Sequence, residues 1–166
     1  MISVAIVEDN ARVRRNLEML VNESPGIRCV CACGSGEEAL QLIPGKAPDV
    51  VLMDIHLPDL SGIECTSRLK QLMPAVQVIM ISVYADMDKI FSALRAGASG
   101  YLLKCSPPEE IIEAISEVSR GGAPMTSEIA RKVVEAFREP VPSASAGCHL
   151  TRREGEILEL LSQGFS

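Results

Sequence analysis

Apolar positions in this chain follow two alternating rhythms over the first 120 residues. Short, nearly unbroken apolar runs predict strands at Ser3–Val7, Ile27–Cys33, Val50–Met53, Val76–Ile81 and Gly100–Leu103. Between them, apolar side chains recur every three or four residues, the helical period. The predicted helices cover Arg12–Val21, Gly36–Ile43, Ile63–Met73, Met87–Ala96 and Pro107–Ser119. In the last of these, Ile111, Ile112, Ile115 and Val118 make the inner stripe, and proline stands near the start, where a helix tolerates it. Strands that are apolar throughout, alternating with helices, imply a parallel sheet covered on both faces. The expected fold is therefore α/β, a doubly wound (βα)5 parallel sheet. Ligands of such sheets lie outside the carboxyl ends of the strands, so the chemistry is sought just after each strand.

Gly121-Gly122 interrupts this rhythm. Beyond it, Ser127–Arg138 predicts one more amphipathic helix, with Ile129, Val133, Val134 and Phe137 on one side. Residues 140–149 (PVPSASAGCH) have the composition of a linker. Thr151-Arg152-Arg153-Glu154 then forms a capping box that opens a helix carrying Ile157, Leu158, Leu160 and Leu161. The expected organisation is a main domain over 1–122, a linker with one helix over 123–149, and the start of an all-α domain over 150–166.

Composition narrows the picture. Aliphatic residues must build the core, because aromatics are only 3% of the 166 residues while apolar residues are 47%. No apolar run approaches the roughly 18 residues of a membrane span, so no membrane partner is expected. The N-terminus leads straight into a strand, with no secretory leader, and a reducing cytoplasm is the expected setting. Net charge is -6. Residues 1–120 hold 16 acids against 11 bases, and 121–166 hold 6 against 5, so no segment has the basic excess that phosphate-backbone binding needs. Three of the six cysteines crowd into Cys29-Val30-Cys31-Ala32-Cys33; in a regular strand all three would share one face. No C-x-x-C or histidine partner stands nearby to complete a metal site, so they read as small apolar packing by free thiols.

The polar residues that end the strands form one set: Glu8 and Asp9 after the first, Asp54 after the third, Ser82 after the fourth and Lys104 after the fifth. Carboxylates brought together repel one another unless a cation binds, and oxygen donors of this kind suit Mg²⁺. A carboxylate can act as a nucleophile and become an aspartyl phosphate. Phosphoryl transfer then needs mainly positioning and charge neutralisation, which Mg²⁺ and Lys104 can supply while Ser82 donates to a phosphoryl oxygen. One such residue alone would read as a helix cap or a solvated charge; five at the ends of four strands are hard to explain that way.

These residues sit in longer motifs: Val7-Glu8-Asp9-Asn10, Met53-Asp54-Ile55-His56-Leu57-Pro58-Asp59-Leu60-Ser61-Gly62, and Gly97-Ala98-Ser99-Gly100-Tyr101-Leu102-Leu103-Lys104. Together with Ser82 they strongly resemble the flavodoxin-like receiver domain of bacterial two-component response regulators of the NarL/FixJ type, over all of residues 1–120. The resemblance implies a sensor histidine kinase as partner, Asp54 as phosphoacceptor, and Mg²⁺ held by Asp9, Asp54, Glu8 through water and the His56 backbone carbonyl. It implies Lys104 on the phosphoryl oxygen and Ser82 with Tyr101 as a coupled switch, Ser82 drawn to the phosphate and Tyr101 turning inward. The side chains of His56 and Tyr84 would tune dephosphorylation. Many relatives place a cis-bonded proline directly after the lysine; here Cys105 follows Lys104, and no cis bond is expected. Residues 150–161 resemble the opening of a LuxR-type helix-turn-helix domain whose base-reading second helix would come later, so DNA would be bound only through that missing part. A homodimer is expected on phosphorylation, either through Met87–Ala96 and Pro107–Ser119 or through the first and fifth helices.

Other readings fit less well. Haloacid-dehalogenase-type phosphatases also use an Asp nucleophile, but they place a second Asp two residues on as acid/base, where this chain has His56. The chain is thus expected to catalyse only its own phosphorylation and dephosphorylation, not to be an enzyme with turnover. A flavodoxin-like cofactor binder would need a phosphate-cradling first loop, and Glu8-Asp9 would repel a phosphate there. A stand-alone receiver signalling by protein contact remains the alternative, which the capping box at Thr151 argues against.

Overall fold

The computed structural model of the protein describes residues 1–138. The predicted linker at 140–149, Cys148 and the helix opened at Thr151 lie outside the described residues. The elements run β1 (Ile2–Val7), α1 (Ala11–Glu23), β2 (Ile27–Cys33), α2 (Gly36–Lys46), β3 (Val50–Asp54) and α3 (Gly62–Leu72). They continue through β4 (Gln77–Ser82), α4 (Met87–Arg95), β5 (Gly100–Leu103), α5 (Pro108–Val118) and α6 (Ser127–Arg138). All strand pairs are parallel, in the order β2-β1-β3-β4-β5. The expected doubly wound (βα)5 sheet is what forms.

The period of two along each strand divides the core into two layers. Val51 and Met53 of β3 point into one layer with Ala39 and Ile43 of α2, Leu69 of α3 and Ile90 of α4. Val50 and Leu52 point into the other, with Leu17 and Val21 of α1 and Ile111, Ile115 and Val118 of α5. Helices therefore cover both faces, and every residue of β3 is buried. That is why the strands read as unbroken apolar runs rather than as alternating ones.

Two expectations change. The cysteines of β2 do not share one face. The strand bulges at Val30, so Val4 pairs with Cys29 while the next residue, Ala5, pairs with Cys31. An extra residue on one strand inverts the side-chain parity beyond it. Cys29 accordingly packs in the α1/α5 layer, and Cys31 and Cys33 in the α2/α3/α4 layer. The thiols feel the two sides differently. Burial, then Glu18 of α1, pushes Cys29 up to about 11. A hydrogen bond from Cys33, outweighing burial and helped by Lys46 of α2, lowers the Cys31 thiol. The second change is α2, expected to stop at Ile43, which runs through Pro44 to Lys46 and ends on Ala47 at φ 44°. The residue before that proline would normally leave the helix; here Ile43, fully buried, keeps the last turn on the core.

After α5 the chain returns to the sheet. The Tyr101 amide donates to the Pro124 carbonyl at 2.9 Å and the Thr126 amide to the Tyr101 carbonyl at 3.3 Å, so residues 124–126 line the open edge of β5. Ile129 of α6 is fully buried in the core. Residues 1–133 form one compact unit. No helix among the described residues is long and apolar enough to cross a membrane.

Candidate functional site

The strand order reverses at β1 and β3, and the site lies at their carboxyl ends, where such a switch point opens a crevice. Register sets the geometry. Val7 pairs with Met53, so Glu8 emerges beside Asp54; Asp54 in turn pairs with Ile81 and Ser82 with Leu103. Lys104 follows at once, its amide held by the Ser82 carbonyl at 2.7 Å.

The cluster is bound tightly. Lys104 Nζ lies 2.7 Å from Glu8 Oε2 and 2.9 Å from Asp54 Oδ2. Glu8 and Asp54 are only 1% and 3% exposed, whereas Asp9 is open to solvent. Burial raises the Glu8 carboxyl, and the Asp54 charge adds to this, against the Lys104 hydrogen bond that lowers it. Burial alone would lower the Lys104 ammonium, but the hydrogen bonds it donates to Glu8 and Asp54 overcome it and hold the charge. Three carboxylates face one ammonium, which leaves an excess of two negative charges for a divalent cation to balance. Glu8, Asp9 and Asp54 each offer an oxygen, all within 4.8 Å of one another, a hard-donor set that fits Mg²⁺.

The hydroxyls of Ser82 and Tyr101 also meet. Tyr101 is fully buried and already faces inward, with its hydroxyl 3.3 Å from the Tyr84 carbonyl. The Ser82 hydroxyl donates to the same Tyr84 carbonyl at 3.0 Å. One loop carbonyl thus gathers both hydroxyls. The Tyr84 side chain is 68% exposed. The His56 amide donates to Asp54 Oδ1 at 3.2 Å, fixing one carboxylate oxygen. No cis peptide bond occurs among the described residues, in agreement with Cys105 following Lys104.

Three supporting residues had no role from sequence. Lys89 Nζ lies 2.7 Å from His56 Nε2, linking α4 to the loop after Asp54. Arg14 Nη1 donates to the carbonyls of Glu8 at 2.6 Å and Asp9 at 3.3 Å, setting the loop that carries both acids. Asp59 accepts the Gly36 and Glu37 amides at 3.0 and 2.8 Å and so clamps the β3–α3 loop onto the first turn of α2. Each contact spans elements whose pairing sequence does not state; the DLSG run at 59–62 was the available signal for Asp59.

The Glu37 amide is the largest of the bonds that hold the Asp59 carboxyl down at about 2. A depressed carboxyl contributes stability above its unfolded value near 4 and loses it as pH falls through the folded one. Asp59→Asn should therefore lower the urea midpoint at pH 7, and the gap from wild type should close between pH 4 and pH 2. A gap that is the same at pH 7 and pH 2 would refute the clamp.

Comparison with known proteins places this geometry. Residues 4–116 match the family described as the response regulator receiver domain. The chain is 37% identical over 166 residues to the transcriptional regulatory protein UhpA of Escherichia coli, covering all of this chain and 79% of that protein. It is 34% identical over 164 residues to the transcriptional regulatory protein LiaR of Bacillus subtilis, covering 99% and 78%. Among solved structures, a LuxR-family two-component response regulator from Aurantimonas superposes with a TM-score of 0.79 at 31% identity, over 84% of this chain and 99% of that one.

Proposed function

The chain belongs to the response regulator receiver family as a two-component regulator of the transcriptional LuxR/NarL type, and from that premise we propose that it works by accepting a phosphoryl group on Asp54. The observation that carries this is the Asp54 carboxylate, buried at the switch point with Glu8, Asp9 and Lys104 converging on it.

In the proposed reaction an Asp54 oxygen attacks the phosphorus of a phosphohistidine on a sensor kinase. The P–N bond breaks, the imidazole leaves with the electron pair and takes up a proton, and an acyl phosphate forms on Asp54. Mg²⁺, when bound by Asp9, Asp54, the His56 carbonyl and Glu8 through water, supplies charge neutralisation for the phosphoryl oxygens. Lys104 exchanges its carboxylate contacts for a phosphoryl oxygen. Ser82 gives up the Tyr84 carbonyl to donate to another, while Tyr101, already inward, holds the loop. His56 and the Tyr84 side chain flank the approach of water and tune dephosphorylation. The protein turns over no separate substrate. The outcome is a shifted population of surfaces that pairs two copies and controls a DNA-binding part. The setting proposed is the cytoplasm, where the kinase presents its phosphohistidine.

Incubation with acetyl phosphate and Mg²⁺, followed by intact-mass measurement, tests the assignment. Wild type should gain one phosphoryl group; Asp54→Asn and a chelator-treated sample should gain none. Equal labelling of Asp54→Asn would overturn it.

A further inference from the structure

The chain after α5 grips the switch. Residues 124–126 pair along β5 on either side of Tyr101, and Ile129 is buried in the same core layer as Tyr101 and Ile90. One turn on, Lys132 Nζ donates to the Ala85 carbonyl at 2.7 Å. Ala85 adjoins Tyr84, whose carbonyl takes the hydroxyls of Ser82 and Tyr101. The hold on the β4–α4 loop therefore comes from a residue 28 positions beyond Lys104 in sequence.

Two details bear on this grip. Gly100 lets the segment approach: a Cβ there would lie 2.8 Å from the Pro124 carbonyl oxygen and 2.9 Å from its Cγ. The Thr126 hydroxyl is buried with no hydrogen-bond partner among the described residues. An orphaned buried hydroxyl works against the docked arrangement, so release of the segment recovers its solvation.

We propose that residues 124–132 form a clasp in which Lys132 is a positioning residue, holding the β4–α4 loop where Tyr84 occupies the Ser82 hydroxyl and so restraining the response to phosphorylation. This rests on the phosphoacceptor reading of Asp54. Ser82 can turn to a phosphoryl oxygen only by leaving the Tyr84 carbonyl, and the loop that carries this carbonyl is pinned one residue further on. Linkage makes the effect reciprocal: as the clasp resists the phosphoryl group, the phosphoryl group loosens the clasp.

The test uses the full 166-residue chain, with beryllofluoride and Mg²⁺ as the phosphoryl mimic. Lys132→Met, which keeps the stem and removes the donor, should bind beryllofluoride about fivefold to tenfold tighter than wild type. Lys132→Arg, which restores a donor, should bind as wild type does. Gly100→Ala should shift affinity in the same direction as Lys132→Met by pushing Pro124 off the edge. Backbone amide exchange across 126–133 should quicken in wild type when beryllofluoride binds. Unchanged affinity in Lys132→Met, or unchanged exchange in wild type, overturns the clasp. Failure of wild type to bind beryllofluoride, or equal binding by Asp54→Asn, overturns the phosphoacceptor reading instead.

Discussion

Lys104→Met will lower stability by about 3 kcal/mol in metal-free solution at neutral pH, and Mg²⁺ will return a large part of the loss. Among the described residues the ammonium is the one cation bonded to both Glu8 and Asp54, at 2.7 and 2.9 Å, and those carboxylates are nearly inaccessible. Removing one partner of a buried ion pair costs about 3–5 kcal/mol, because the remaining charge is desolvated and uncompensated. The lower end applies because the Lys104 side chain keeps 21% of its exposure. Without the lysine, the Glu8 carboxyl, already raised by burial, rises further. A raised carboxyl penalises the fold at pH values where it must ionise, so the deficit shrinks as pH falls through the raised folded value toward the unfolded one near 4. Urea unfolding of wild type and variant, with and without Mg²⁺ and at two pH values, reads all three effects. The variant has one more net negative charge for the cation to balance, so Mg²⁺ should shift its midpoint more than it shifts wild type. A variant as stable as wild type without metal, or one indifferent to Mg²⁺, would remove the basis for treating these groups as one electrostatic unit.

Gly62→Ala should be at least as damaging, for a purely steric reason. A Cβ at Gly62 would lie 1.9 Å from the Asp54 carbonyl oxygen, 2.8 Å from its carbonyl carbon and 3.0 Å from Ile55 Cα. All three are backbone atoms, so no side chain can swing aside. The Gly62 amide also donates to the Ile55 carbonyl at 2.9 Å, and its carbonyl accepts the buried Thr66 hydroxyl at 2.7 Å. Either the start of α3 backs away and breaks these bonds, or the end of β3 shifts and takes Asp54 with it. Overpacking usually costs about 1–3 kcal/mol; a clash with backbone on a central strand places this change above about 4 kcal/mol, among the exceptional ones. Denaturant unfolding should show that loss. Labelling by acetyl phosphate should fall in whatever fraction stays folded, since Asp54 would no longer sit in register with Ile81. A midpoint within about 0.5 kcal/mol of wild type would mean the α3 start yields freely.

The two substitutions differ in how far sequence foretold them. Lys104 was legible as the polar residue closing the fifth apolar run, and the charge balance around it followed from residue types alone. Gly62 was legible only as part of a motif; its necessity lies in a distance of closest approach between two segments that the chain brings together. Asp59, Arg14 and Lys89 belong with Gly62. Each has an ordinary surface identity, and each acquires a role through a partner on another element.

Sequence by itself determined the order of strands and helices, the two-sided burial of the sheet and the five residues at the strand ends. These follow from local periodicity and from a general rule about where parallel sheets expose polar groups, and neither needs knowledge of which elements touch. Only the tertiary structure decided the parity change at Val30, the inward seat of Tyr101, the sharing of the Tyr84 carbonyl and the reach of Lys132 to Ala85. Each of these depends on register or on a long-range hydrogen bond. A bulge shifts every later side chain to the other face without changing the apolar pattern, and a lysine that finds a distant carbonyl looks in sequence like one that points to water.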